Sequence, residues 1–226
     1  NAKVDRMYGD TTRGKYSVDK ILEKFENHQI DILIGTQMVT KGLDFKNIGL
    51  VGVINADNIL FFPNFRANEK AFQILTQVSG RAGRSSIKGS VIIQTFSSGN
   101  KIFEFIKKQN HDGFYEQEIT ERKEFNYPPY YRLIKIIIKS RDLETLKRAS
   151  NWLFQSISNG LIYPIYGPID PHVSRIKNEF IKEVLIKYPN TNVRNKIKRH
   201  LMKSIESFKS IAKFRVVKLN VDIDPN

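Results

Sequence analysis

Five residues just past the midpoint, Tyr127-Pro128-Pro129-Tyr130-Tyr131, constrain the fold more than any other run. A proline fixes its own φ, has no N–H to donate and pushes the residue before it out of the helical region, so neither a helix nor a regular ladder runs through this point. The 226 residues therefore divide into two stretches, each of a size that folds as a domain. The charged segment 111–124 leads into the break, and the expected organisation is a domain over 1–110, a linker over 111–131 and a second domain over 132–226.

The two stretches follow different patterns. Upstream, Ser17 is a plausible N-cap for a helix whose apolar stripe is Val18, Ile21, Leu22 and Phe25, and residues 30–34 follow as a strand. Further strands are expected at 50–54 and 90–95, with helices at 68–78 and 101–109. Strands separated by helices predict an α/β domain with a parallel sheet, whose functional loops lie at the carboxyl ends of the strands. Downstream the pattern gives a strand at 133–139, a helix at 143–158, strands at 162–166 and 180–187, a helix at 193–208 and a strand at 214–223. The helix stripes are Leu143, Leu146, Leu153, Ile157 and Val193, Ile197, Leu201, Ile205, Phe208. Two successive βαβ units of this kind predict an α+β, ferredoxin-like split βαβ domain with helices on one face of an antiparallel sheet.

Lys and Arg number 37 against 23 acidic residues, a formal charge of +14, which favours a polyanionic partner such as nucleic acid. Apolar runs such as 32–34 and 136–138 are strand-sized, far short of the roughly 20 residues a spanning helix needs, so no membrane span is expected, and no membrane is among the expected partners. The absence of cysteine removes disulfides and thiolate zinc sites, and His28, His111, His172 and His200 lie too far apart for a spaced metal motif. A reducing, cytoplasmic setting is expected. The chain opens at Asn1 without an initiator methionine or leader, which suggests a piece of a longer protein.

Two segments carry chemistry: Gly35-Thr36-Gln37-Met38-Val39-Thr40-Lys41-Gly42-Leu43-Asp44-Phe45 and Gln77-Val78-Ser79-Gly80-Arg81-Ala82-Gly83-Arg84. Gly80 and Gly83 let the backbone approach a phosphate, and the three-residue step from Arg81 to Arg84 sets both guanidiniums on one side of a helical turn. Such a pair grips a phosphate chain through forked, charge-assisted bonds. Two arginines at a helix C-terminus also serve simply to offset its dipole.

Together the segments resemble motifs V and VI of superfamily 2 helicases. The run 34–95, with Asp57, Phe65-Arg66-Ala67 and Glu69 ahead of QVSGRAGR, resembles the primosomal protein N-prime (PriA) family of replication-restart helicases. Arg122 and Lys123 before the Tyr-Pro-Pro run, Tyr166-Gly167-Pro168, Val184-Leu185-Ile186-Lys187 and Val221-Asp222-Ile223-Asp224-Pro225 resemble that family's C-terminal region.

The resemblance implies a RecA-like helicase lobe two followed by the C-terminal domain of an ATP-dependent 3′ to 5′ DNA helicase, one that restarts stalled replication forks and initiates primosome assembly. It implies Arg81 and Arg84 as catalytic finger residues, Gln77, Gly42 and Asp44 as nucleotide contacts, and Thr36 and Lys41 as DNA contacts. ATP and Mg are the implied cofactors, bound mainly by a first lobe, because the chain holds no G-x-x-x-x-G-K-[S/T] phosphate loop and no acidic magnesium-holding motif. This chain alone is expected to be inactive. Zinc is implied for the full-length family, outside this chain. The implied partners are forked and single-stranded DNA, primosome proteins and single-stranded DNA-binding protein. The segment 175–182 departs from the aromatic and basic alternation of the family, which weakens any partner contact carried by that edge.

Residues 191–218 hold nine basic groups against the single acid Glu206, a density that holds phosphates without reading sequence. Arg194, Lys198, Arg199 and Lys203 are the candidate DNA contacts there, against the alternative of a solvated helix face. Two competing functions stay open at this stage. One is a non-enzymatic nucleic-acid and protein interaction module, and the other is a superfamily 2 DNA repair helicase.

Overall fold

The computed structural model describes residues 2–7, 17–36, 48–80 and 89–225. The chain forms two units, Asn1–Tyr115 and Glu116–Asn226.

In the first unit β1 (Val4–Met7) pairs parallel with β2 (Ile32–Gly35), and α1 (Ser17–Glu26) lies between them in sequence. A second parallel pair joins β3 (Leu50–Val53) to β4 (Ser90–Ile93), connected through α2 (Asp57–Leu60) and α3 (Ala67–Ser79). The expected parallel α/β pattern is present, as two two-stranded ladders among the described residues. Strand β1 was not anticipated, because Asp5 and Arg6 interrupt its apolar residues and leave no apolar run of the kind that marks β2, β3 and β4. The core of the second ladder gathers Ala56, at the N-cap of α2, with Leu60, Ala71, Phe72, Leu75, Ile102 and Ile106 from α2, α3 and α4 (Lys101–Lys107). Asn100 starts α4 by accepting a hydrogen bond from the Ile102 N–H at 3.1 Å.

The segment read as the start of a linker is instead a helix, α5 (His111–Glu124), and the division between the units falls within it. Its sequence hides it, because it has no apolar stripe. It is supported by polar pairs one turn apart: Arg122 with Glu118 at 3.5 Å, and the Gln117 amide donating to Glu121 at 2.8 Å. Its first turn is anchored by Phe114, which stacks on Phe72 with ring centroids 4.1 Å apart.

The second unit runs β5 (Tyr131–Ser140), α6 (Leu143–Ser158), β6 (Ile165–Ile169), β7 (Arg175–Ile176), β8 (Glu179–Pro189), α7 (Arg194–Ser210), a 3-10 turn (Ala212–Phe214) and β9 (Lys218–Ile223). The sheet order is β6-β8-β5-β9 with every neighbour antiparallel, and β7 forms a short hairpin with β8. This is the split βαβ, ferredoxin-like arrangement expected from the sequence. Alternate residues of β5 and β8 (Ile134, Ile136, Ile138, Val184, Ile186, Tyr188) share one core with Leu146, Leu153 and Ile157 of α6 and Ile197, Leu201 and Phe208 of α7. The other face of the two strands carries Lys135, Ile137, Lys139, Glu183 and Lys187.

Two details shift the expected boundaries. The strand read at 162–166 lies at Ile165–Ile169, interrupted by a register shift between Tyr166 and Ile169. At that point Gly167 has φ +125° and a side chain there would stand 2.6 Å from the Glu183 carbonyl oxygen, so glycine alone fits. The final strand starts at Lys218 rather than 214, because Phe214 is drawn into the core by a 3-10 turn.

Candidate nucleotide and nucleic-acid site

Thr36 follows the last residue of β2 and is exposed, the position at which a parallel strand presents its loop to a ligand. Gln77 lies in the last turn of α3 and is also exposed, while its neighbour Val78 is buried against the core. The amphipathic period of α3 therefore aims Gln77 outward just before Gly80 ends the helix. Lys41, Gly42, Asp44, Arg81 and Arg84 lie outside the described residues.

Asp57 opens α2 and ties it to the end of β4. Desolvation pushes its carboxyl up, but the Phe96 N–H at 3.0 Å and the Thr95 hydroxyl at 2.9 Å both donate to it, and the net result is below the usual carboxylate range. Asp57 thus ties the start of α2 to the segment that follows β4. Arg66 accompanies it: its N–H donates to the Asn64 side chain at 2.8 Å and its guanidinium lies 5.2 Å from the Phe65 ring centre. Glu69 accepts from the Gln73 amide at 3.3 Å.

In the second unit, Arg194, Lys198, Arg199 and Lys203 are all exposed on α7. At about 100° per residue they spread over roughly half the helix circumference, opposite and beside the buried line Ile197, Leu201, Ser204 and Phe208. They form a broad positive surface, not a single stripe.

Sequence reasoning passed over Lys187. Only 5% exposed on β8, it donates to the Phe125 carbonyl at 2.8 Å and its ammonium stands 3.4 Å from the Tyr127 ring centre and 5.3 Å from that of Tyr166. Burial holds its pKa below the usual lysine range and raises that of Tyr127. The Val184-Leu185-Ile186-Lys187 run was noted in sequence, but alternation does not reveal a caged lysine. A second tie joins Asp224 to β5: it pairs with Arg132, accepts from the Leu133 N–H at 3.0 Å, and its own N–H donates to the Leu133 carbonyl at 2.9 Å. Burial raises the Asp224 pKa, yet Arg132 and the Leu133 N–H outweigh it and the net shift is downward.

Among the described residues no three His, Cys, Asp or Glu side chains gather to hold a metal ion, and no helix is long and apolar enough to cross a membrane.

Two family models match in succession. Residues 1–86 match the helicase conserved C-terminal domain, which fits the parallel ladders of the first unit. Residues 123–226 match the primosomal protein N C-terminal domain, which covers the whole antiparallel sheet. The class defined by this pair is the C-terminal part of a primosomal helicase. Among curated relatives, the replication restart protein PriA of Bacillus subtilis (strain 168) is 37% identical over 229 residues, covering 100% of this chain and 28% of the relative. The PriA proteins of Synechocystis and Chlamydia trachomatis are 38% and 36% identical, covering 97% and 99% of this chain and 26% and 29% of the relatives. The chain belongs to the PriA replication-restart family and corresponds to its C-terminal region. It spans between 26% and 29% of the length of these three relatives.

Proposed function

We propose that this chain supplies the second helicase lobe and the C-terminal DNA-binding domain of an ATP-dependent 3′ to 5′ DNA helicase that restarts stalled replication forks and initiates primosome assembly. The observation that carries the reading is the succession, in one chain, of a helicase C-terminal domain and a primosomal C-terminal domain. Arg81 and Arg84 act as fingers on the γ-phosphate of ATP held by the other lobe. Charge builds up on the transferring phosphoryl oxygens, and a positioned guanidinium offsets it. Gln77, Gly42 and Asp44 contact the nucleotide, and the Thr36 hydroxyl and Lys41 hold the DNA backbone. Magnesium, which the first lobe would hold together with ATP, would supply charge that neutralises the phosphates. Arg194, Lys198, Arg199 and Lys203 add DNA contacts from α7, and primosome proteins and single-stranded DNA-binding protein dock on the same protein.

The test uses the protein carrying both lobes. Arg81→Ala or Arg84→Ala is expected to abolish DNA-stimulated ATP hydrolysis and unwinding while DNA affinity, measured by anisotropy, stays within a few fold. A finger acts on transition-state charge rather than on the DNA. Near-normal turnover in both variants refutes the assignment.

A further inference from the structure

The helix that leads into the proposed finger residues has no side-chain lock at its start. Arg66 caps α3 without a side-chain hydrogen bond to the helix N–H groups, and Gly80 ends the helix immediately before Arg81 in the chain. The direction of α3 is therefore set by its buried line, Ala71, Phe72, Leu75 and Val78, and by what that line meets.

At Phe72 the contact is an aromatic cluster of fixed geometry. The Phe72 ring lies nearly parallel to that of Phe114, with an interplanar angle of 5° and centroids 4.1 Å apart. His111 meets it edge-on at 5.1 Å and 90°, and Phe105 of α4 stands edge-on to Phe114 at 6.1 Å and 70°. Stacked and edge-to-face rings hold one another in a set orientation, because the ring quadrupole makes their attraction depend on angle and offset. Aliphatic side chains carry no such plane.

The side of the cluster away from α3 is stiff. Three residues, Lys108, Gln109 and Asn110, turn the chain from α4 into α5. The N–H of each donates back into α4, to the carbonyls of Glu104 at 3.0 Å, Ile106 at 3.1 Å and Phe105 at 2.9 Å. The Asn110 side chain then accepts the Gly113 N–H at 2.9 Å and fixes the first turn of α5. His111 and Phe114 stand on that turn, and all of these residues belong to the first unit. Phe114 is thus a firm stop against which α3 rests.

A small shift at this stop is amplified along the helix. At about 1.5 Å per residue the end of α3 at Gly80 lies about 12 Å from Phe72, so tilting the helix there by about 5° moves its end by about 1 Å. A misplacement of about 1 Å at a reacting group costs up to about 100-fold in rate.

We infer that Phe114, acting through Phe72, is a positioning residue for phosphoryl transfer: it holds α3 at the angle that aims Arg81 and Arg84 at the γ-phosphate. The inference rests on the finger reading above and adds to it a residue outside the motif. Phe114 touches neither nucleotide nor DNA in this role.

The experiment uses the full-length protein carrying both lobes, with Phe114→Ala, Phe114→Leu and Phe114→Tyr. Leucine keeps apolar volume and loses the ring plane, while tyrosine keeps the ring. DNA-stimulated ATP hydrolysis is measured well below the melting temperature of each variant. The kcat of Phe114→Ala is expected to fall by about 10- to 100-fold and that of Phe114→Leu by less, with KM for ATP and DNA affinity within about threefold. Phe114→Tyr is expected to keep near-normal kcat.

A second readout is independent of turnover. Fingers engage the transferring phosphoryl group more strongly than ground-state ATP. Phe114→Ala is therefore expected to weaken binding of ADP with aluminium fluoride, which mimics that group, about as much as kcat falls, and to leave binding of a non-hydrolysable ATP analogue unchanged. A role confined to stability lowers the melting temperature and moves neither kcat nor this discrimination. Normal kcat in a folded Phe114→Ala protein overturns the inference. Should the alanine variant fail to fold, equal kcat in Phe114→Leu and Phe114→Tyr overturns it. Arg81→Ala and Arg84→Ala are the reference in the aluminium fluoride assay. If they lose the complex while Phe114→Ala keeps it, the positioning role fails and the finger reading stands. If both arginine variants keep it, the finger reading fails and the inference falls with it.

Discussion

Asp224 and Lys187 fasten opposite faces of β5 and β8 to neighbouring segments, and each makes a prediction. The Asp224 carboxylate gains its value from Arg132 and the Leu133 N–H. Asp224→Asn tolerates the left-handed backbone there, φ 52°, but removes the charge. It is expected to lower stability by about 1–2 kcal/mol at neutral pH, the lower part of the range for charged hydrogen bonds because the pair is partly solvated. Because the folded pKa is depressed, the carboxylate's contribution is present above about 3.9, its ordinary value, and is lost as pH falls through the folded value. Urea melts of the two proteins should therefore converge in acid, and a gap that persists below the folded pKa excludes the charge as the cause. For Lys187, alanine leaves the Phe125 carbonyl without its donor and the Tyr127 ring without its cation. The expected loss is about 1–3 kcal/mol, and a melt shifted by less than experimental scatter would show the cage to be incidental.

At the scale of elements, the packing of α7 on the end of α6 depends on a missing side chain. The His200 ring reaches the Ile157 carbonyl at 3.0 Å and passes so close to Gly160 that an added Cβ would stand 2.0 Å from a ring carbon. Gly160 lies outside the left-handed region, so the requirement is one of space and not of backbone conformation. Gly160→Ala is expected to cost about 1–3 kcal/mol as overpacking. The same change made in a His200→Ala background should cost clearly less, and a double-mutant cycle in thermal melts measures the coupling. Equal costs in both backgrounds would refute the contact. The element types in this domain were legible because β5, α6, β8 and α7 each combine a clear period with a turn or cap: Asp142, for one, accepts the Thr145 N–H at 2.6 Å. Helix α5 was not legible, since its stability comes from side-chain pairs one turn apart and from Phe114 on Phe72, neither of which leaves an apolar period.

At the scale of the whole molecule, ATP chemistry needs a phosphate loop and a magnesium-holding acid, and the 226 residues contain neither motif. The purified chain is accordingly expected to show no DNA-stimulated ATP hydrolysis in a phosphate-release assay, and turnover that co-purifies with it and disappears in Arg81→Ala would refute the proposed division of labour. The sequence by itself determined the two-part organisation, the α/β and split βαβ patterns and the two helicase-like segments, because periodicity, proline geometry and short motifs are written in neighbouring residues. Thr36 and Gln77 could be singled out from those motifs, and the structure adds that both are exposed at element ends. Only the tertiary structure decided that Lys187 is caged by Phe125, Tyr127 and Tyr166, that Arg132 meets Asp224 across 92 positions, and that Lys139 faces Lys218. The physical reason is that strand register, set by which apolar faces bury together, brings distant residues to a common height, and no local pattern encodes that choice.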